Sequence, residues 1–328
     1  MGTSSSSFRV IDKRFPKAMT LTRLIRDFWF NTAFIWRLAR IMLLLTAGLV
    51  IAIMAFEDRL IYFPSKYPDG FWDVDNIPAL EGEITPRIED CFLQASDGVR
   101  IHGWFCTPQR KTSAAIEPVQ AQMVLLWFHG NAGNITYRYD MIRALMSLPV
   151  RLFIIDYRGY GKSEGKPTER GLYLDASAAW DYLTETRGIP AEEIIIFGKS
   201  LGGAPAIDLA TKVRPAGLII QSSFTCASDM ASSILPFFPA MLLHTKMDSI
   251  NKIANVHCRK LIIHSPADEV VPYRLGWRLY EAAPEPKQFY EVKDARHNST
   301  YIVGGKPYLD ALRGFVEACS ELREPSRQ

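Results

Sequence analysis

The sequence predicts an α/β fold, a mostly parallel and doubly wound sheet preceded by a single transmembrane helix. Two observations predict it: an uncharged apolar run near the N-terminus, and a series of apolar runs alternating with helix-length segments from Met123 onward. Such alternation is how a parallel sheet covered on both faces reads. At 328 residues and 48% hydrophobic content, the chain can bury a full core without disulfides or metals to staple it.

Residues 1–32 read as a basic cytoplasmic tail. Residues 1–40 hold Arg9, Lys13, Arg14, Lys17, Arg23, Arg26, Arg37 and Arg40 against Asp12 and Asp27, which is 8 − 2 = +6. The whole chain carries +3, so the remainder sums to −3, which argues against a nucleic-acid-binding face on the main domain. Leu21, Leu24, Ile25, Phe28 and Trp29 fall at helical spacing, so an interfacial helix competes there with a disordered tail. The opening Met1-Gly2-Thr3-Ser4-Ser5-Ser6 formally fits a myristoylation pattern, a short match that is common by chance.

Ile41 to Phe56, IMLLLTAGLVIAIMAF, carries no charge and has Thr46 as its only polar side chain. Phe34, Ile35 and Trp36 extend it toward the roughly 20 residues that a span requires, while Arg37 and Arg40 snorkel to the headgroups. Residues 33–56 are therefore expected to form a membrane anchor. A buried core helix would leave the preceding basic block unexplained. A cleaved signal peptide is the nearer rival, but the basic region is long for one and no clean Ala-x-Ala site follows. Basic residues before the span, with Glu57 and Asp58 directly after it, place the N-terminus in the cytoplasm and the main domain on the extracytoplasmic side.

Cysteines 91, 106, 226, 258 and 319 are odd in number and scattered, with no C-x-x-C pair, which argues against a disulfide framework or a cysteine zinc site. Were the domain extracytoplasmic, one bridge of unspecified pairing would remain open. The expectation is no metal and no cofactor.

Residues 57–322 are expected to form the main domain, with 323–328 as a C-terminal tail. A strand-like piece at Leu60 to Phe63 is followed by a connector containing Pro and acidic residues, then by an early strand at Arg100 to Phe105. Strands are expected at Met123 to Phe128, Leu152 to Asp156, Ile194 to Phe197, Leu218 to Gln221, Leu261 to His264 and Phe289 to Val292. Helical segments fall near Tyr139 to Ser147, Glu169 to Thr186, Leu201 to Lys212, Arg274 to Ala282 and Pro307 to Leu322. Residues 224–255 break the alternation with SSILPFFPAMLLH, and an insertion at that point would lie over the carboxyl ends of the strands as a short helical lid. A covering helix pair that is simply core is the alternative.

The sharpest chemical signal is Gly198-Lys199-Ser200-Leu201-Gly202-Gly203, placed between the apolar strand Ile194 to Phe197 and helix-prone Ala204 to Ala210. Gly-x-Ser-x-Gly between strand and helix is a nucleophile elbow, in which Gly198 and Gly202 let the two elements pack closely beneath a strained serine. A hydroxyl needs a base to take its proton and an acid to hold that base, and in this arrangement they follow in the order Ser, Asp, His. Asp268 lies in a loop four residues beyond the strand ending at His264, with Glu269 as a local rival. His297 lies in the loop after the last strand. His102, His244, His257 and His264 are better explained as strand or lid residues. His129-Gly130-Asn131-Ala132-Gly133 follows a strand, so the backbone N–H groups of Asn131 and Leu201 are the expected donors to a developing oxyanion. His129 braces that loop, since no second ligand stands at metal spacing.

HGNAGN at 129–134, DYRGYGKSEGKPTE at 156–169, GKSLGG at 198–203 and the loops holding Asp268 and His297 together resemble the membrane-anchored α/β-hydrolase-domain proteins related to the mammalian protein depalmitoylases and their bacterial counterparts. The resemblance spans roughly residues 57–320 and implies an α/β-hydrolase fold. It also implies that the 156–161 loop shapes a strand end, so Asp156 and Arg158 receive no catalytic role. Ser265 and Arg296 depart from the glycines usual at those places, which weakens any transfer of substrate more than it weakens the triad.

The expected function is hydrolysis of an acyl or lipid-like ester or thioester through an acyl-enzyme, with Ser200 attacking, His297 shuttling the proton and Asp268 stabilising the imidazolium. The partners expected are the lipid bilayer and a small acyl-ester substrate. A serine peptidase or amidase acting on small or lipidated peptides is the second reading, and a non-catalytic membrane scaffold the third.

Overall fold

The computed structural model describes residues 21–321 apart from 75, 76, 78, 79, 81, 113, 114 and 237. The myristoylation pattern, most of the basic tail, most side chains of the 21–29 stripe and the 323–328 tail lie outside the described residues. The chain divides into two compact units, residues 1–53 and 54–328.

The first unit is dominated by the helix Leu21–Ala55. Its stretch Phe34–Ala55, 22 residues of mean hydropathy 2.3, is long and apolar enough to cross a membrane. At 1.5 Å per residue it measures about 33 Å, close to the thickness of a hydrocarbon core.

Among the described residues of the second unit, nine strands form one sheet, eight of them on a single path: β1 Ile84–Gln94, β2 Arg100–Lys111, β3 Met123–Phe128, β4 Val150–Asp156, β5 Ile194–Lys199, β6 Gly217–Gln221, β7 Arg259–His264 and β8 Lys287–Glu291. Their order across the sheet is β8-β7-β6-β5-β3-β4-β2-β1, and a short strand, Ile116–Pro118, pairs with the end of β2. Strands β3 to β8 run parallel, while β2 is antiparallel to both β4 and β1. β1 falls in what reads from sequence as a connector. Pro86 and the charged run Arg87 to Asp90 obscure it, and both are tolerated because β1 is an edge strand with one face in solvent.

Why β3 is a central strand follows from its residues. All six side chains of Met-Val-Leu-Leu-Trp-Phe are buried, with alternate ones entering opposite cores. Val124, Leu126 and Phe128 join the cluster that includes Leu172, Ile207 and Leu275. Met123, Leu125 and Trp127 join the cluster that includes Ile142, Leu312 and Phe315. Helices Glu169–Asp181, Gly203–Ala210 and Tyr273–Ala282 thus cover one face, and Tyr139–Leu145 and Thr300–Ser320 the other. The last of these is broken at Gly305 (φ 48°, ψ −135°), so Pro307 opens a second helical segment, where its missing N–H costs little.

The DYRGYG loop anchors strand ends. The Arg158 guanidinium bonds Asp175 at 2.8 Å and Asp97 at 2.7 Å, tying β4 to the helix Glu169–Asp181 and to the β1–β2 turn. Residues Leu60 to Phe63, expected to be extended, are instead divided between a short helix, Glu57–Ile61, and a two-residue strand, Phe63–Pro64. Glu57 and Asp58 favour a helix start, which local apolar patterning does not reveal. Between β6 and β7, residues 224–255 form the helix Ala227–Ile234, a turn at Ala240–Leu242 and the helix Ser249–Ile253.

Candidate active site

The site is assembled at the carboxyl ends of β3, β5, β7 and β8, where an open parallel sheet gathers its loops. β5 ends in a turn so tight that its glycines are obligatory. A Cβ on Gly202 would lie 2.0 Å from the Phe128 carbonyl oxygen, and one on Gly198 would lie 2.6 Å from the Ala206 Cβ. Between them Ser200 adopts φ 53°, a left-handed conformation strained for a side-chain-bearing residue. The Ser223 hydroxyl donates to the Ser200 carbonyl at 2.8 Å and helps to hold that turn.

Three side chains distant in sequence meet there. The Ser200 Oγ lies 3.0 Å from His297 Nε2. The other ring nitrogen, Nδ1, donates to Asp268, 2.8 Å from Oδ2 and 3.0 Å from Oδ1. Asp268 Oδ1 also accepts the backbone N–H groups of Val271 at 2.8 Å and Val270 at 3.0 Å. Burial pushes this carboxyl up, but His297 and the two N–H donors outweigh that and hold it below the ordinary carboxylate range. The imidazole is thereby fixed as the Nδ1–H tautomer, with Nε2 free to take a hydroxyl proton.

Glu269, the rival carboxylate, turns the other way. Its Oε2 accepts the backbone N–H of His297 at 3.0 Å and its Oε1 pairs with Arg296 at 3.3 Å. It holds the base's loop and does not reach the ring. The two departures from the resemblance have work of their own: Arg296 pairs with Glu269, and the Ser265 Oγ accepts from the Ala267 N–H at 3.1 Å, within the acid loop.

The His129–Gly133 loop lies against the serine. A methyl on Gly130 would stand 3.5 Å from the Ser200 Cβ and 3.9 Å from its Oγ. Leu201 occupies the first turn after β5, where N–H groups lack intrahelical acceptors. The backbone donors of Asn131 and Leu201 thus belong to the two loops that flank the hydroxyl. His129 is fully buried; burial, reinforced by the Arg138 charge, pushes its pKa down to about 3, so it stays neutral. Its Nδ1 lies 2.7 Å from the Gly130 carbonyl and its ring packs on Tyr157 at 4.6 Å, the bracing role its motif suggests.

None of the other four histidines reaches Ser200. His264 Nε2 lies 3.0 Å from the Val271 carbonyl oxygen, His102 is sandwiched between Asp90 and Asp156, His244 contacts Glu57, and His257 borders a cavity of about 360 Å³ lined also by Arg214, Cys258 and Cys319.

Two features escape a reading of the motifs. Lys199 is 6% exposed, with Nζ 3.4 Å from Asn298 Oδ1, and burial together with the Arg138 charge pushes its pKa down to about 8. The segment after the apolar helix is stitched to the His129–Gly133 loop. Asn131 Nδ2 donates to the Ile61 carbonyl at 3.0 Å, the Phe63 N–H donates to the Asn131 carbonyl at 3.1 Å, and Phe63–Pro64 pairs with Ala132–Gly133. The signal for the first was the lysine inside the elbow itself. The second is a backbone pairing between segments 69 residues apart and leaves no local mark.

This fold and this gathering of groups define the class as α/β-hydrolase. A family model described as serine aminopeptidase S33 matches residues 119–248. An uncharacterised protein of Mycobacterium tuberculosis is 35% identical over 277 residues, 84% of this chain and 92% of that one. α/β-Hydrolase domain-containing protein WAV2 of Arabidopsis thaliana is 32% identical across 82% of this chain and 92% of its own length. Human α/β-hydrolase domain-containing protein 17B is 34% identical across 69% of this chain and 75% of its own. The chain belongs to the α/β-hydrolase family represented by these relatives. Among solved structures, an esterase of Pyrococcus furiosus superposes with a TM-score of 0.58 at 19% identity, covering 74% of this chain and 98% of that one. An α/β-hydrolase of Vibrio vulnificus gives 0.58 at 19% identity, over 70% and 81% respectively. At such identities these two likenesses speak for the fold.

Proposed function

We propose that the chain is a membrane-anchored serine hydrolase that cleaves a carboxylic ester or thioester of acyl or lipid-like character. The observation that carries this reading is the hydrogen-bonded series from Ser200 Oγ through His297 to Asp268, at 3.0 and 2.8 Å. Ser200 attacks the acyl carbonyl while His297 Nε2 takes its proton. The tetrahedral oxyanion accepts the N–H groups of Asn131 and Leu201, each such donor contributing about 2.7–4 kcal/mol to lowering the barrier. Collapse expels the alcohol or thiol, protonated by His297, and water then releases the acid by the same route in reverse. Asp268 stays ionised and stabilises the imidazolium.

The anchor is assigned to residues 33–56, the hydrolase domain to 57–322 and the lid to about 224–255. Reaction with a fluorophosphonate probe tests the nucleophile. Wild type is expected to label and Ser200→Ala to lose labelling, whereas equal labelling of the two would remove the assignment. The family model matched at residues 119–248 favours a second reading, amide cleavage on small or lipidated peptides. Turnover of medium-chain esters against aminoacyl amides separates the two.

A further inference from the structure

Around the segment that follows the apolar helix, large apolar side chains stand in solvent. Phe56, Leu60, Phe63, Leu235, Met241 and Leu242 are between 43% and 81% exposed. Scattered exposed apolar residues are ordinary, but a contiguous group marks an interaction surface. Polar bonds beneath bring Phe56 and Leu60 toward Met241 and Leu242. The Glu57 carboxylate, 5% exposed, accepts the backbone N–H groups of His244 at 2.9 Å and Thr245 at 2.6 Å. That fixes the short helix Glu57–Ile61 against residues 244–245 of the 224–255 insertion. Phe56 and Leu60 are one helical turn apart on it, and Met241 and Leu242 come only two or three residues before the pinned His244.

We infer that this apolar surface docks on the lipid bilayer and gives the site lateral access to acyl chains resident there. The inference rests on reading Phe34–Ala55 as a membrane span. Covalent continuity then selects the bilayer as the occupant. Ala55 ends the apolar stretch and Phe56 opens the patch, so Phe56 to Leu60 must lie within the headgroup layer, which is about 5–8 Å deep on each side of the core. Arg59 fits that depth: its guanidinium stands over the Phe56 ring at 5.6 Å, placed to meet a lipid phosphate. The reacting centre is close by, since Asn131 is bonded to both Ile61 and Phe63 while its neighbour Gly130 abuts Ser200.

The test uses the full-length chain in phosphatidylcholine proteoliposomes. Met241→Trp is expected to lose more emission than wild type when dibrominated phosphatidylcholine replaces the unbrominated lipid; the same loss in both proteins overturns the surface. This readout needs no turnover, so it stands or falls separately from the hydrolase assignment. The double variant Met241→Asp/Leu242→Asp should lose at least tenfold more of the wild-type rate on a long-chain ester embedded in the vesicles than on a short water-soluble ester. The same fractional loss on both substrates would overturn the access route. Release of the wild-type chain by alkaline carbonate would remove anchor and surface together, whereas retention without added quenching removes the surface alone.

Discussion

Lys199 sets a balance between stability and chemistry at one residue. Its ammonium is buried beside the elbow, and the Asp268 charge only partly offsets the cost. Its folded pKa of about 8 lies below the ordinary 10.5 of the unfolded chain, so between those values the unfolded state binds more protons. Stability therefore rises with pH across that window, and the full cost of the buried charge is present below pH 8. A shift of that size corresponds to about 3 kcal/mol as an upper figure. Lys199→Met should accordingly unfold at higher denaturant concentration than wild type at pH 7, with the difference shrinking toward pH 10. Identical midpoints at pH 7 would contradict the argument. The same variant loses the contact to Asn298, next to His297, so a more stable protein with lower turnover is the expected outcome.

At the scale of elements, the segment Ile61–Pro64 is part of the active-site framework as well as a linker. It supplies one acceptor and one donor to Asn131, whose own N–H is the proposed oxyanion donor. Phe63→Pro deletes the donor with little local strain, because the preceding Tyr62 is already extended at φ −105°, ψ 126°. A small displacement of an oxyanion donor costs about 10²-fold. Turnover of a short ester is therefore expected to fall ten- to a hundredfold, with KM within about threefold and the melting temperature within a few degrees; unchanged turnover would show that the pairing is incidental. What the sequence made legible follows from the same contrast. The central strands and the Ser, Asp and His loops announce themselves because apolar runs and glycine turns are local. The Asn131 linkage and the pairing of Glu269 with Arg296 depend on partners distant in the chain, and no local pattern records them, whereas edge strand β1 pairs with the next strand and is hidden by Pro86 and its charges.

For the whole molecule, the proposed anchor carries a prediction of the side of the membrane on which the site stands. All five cysteines are free in the structure, so disulfides give no indication of compartment. Charge does give one. Residues 1–40 carry 8 − 2 = +6, and the first side chains beyond the apolar stretch Phe34–Ala55 are Phe56, Glu57 and Asp58. Lysine and arginine counted near the ends of a span decide its orientation, and acidic residues contribute little, so the excess before residue 41 governs. The apolar window holds no mid-membrane charge that would oppose insertion, since Arg37 and Arg40 stand within its first two turns and can snorkel back to the basic side. The tail is therefore expected in the cytoplasm and the hydrolase domain outside it. Protease added to intact cells should remove a C-terminal epitope and spare an N-terminal one. Replacing Arg23, Arg26, Arg37 and Arg40 with Gln lowers the count for residues 1–40 to 4 − 2 = +2 and should produce a measurable fraction with the reverse pattern. If the wild-type C-terminus is protected instead, the substrate must be sought on the cytoplasmic leaflet, with the docking surface facing that leaflet.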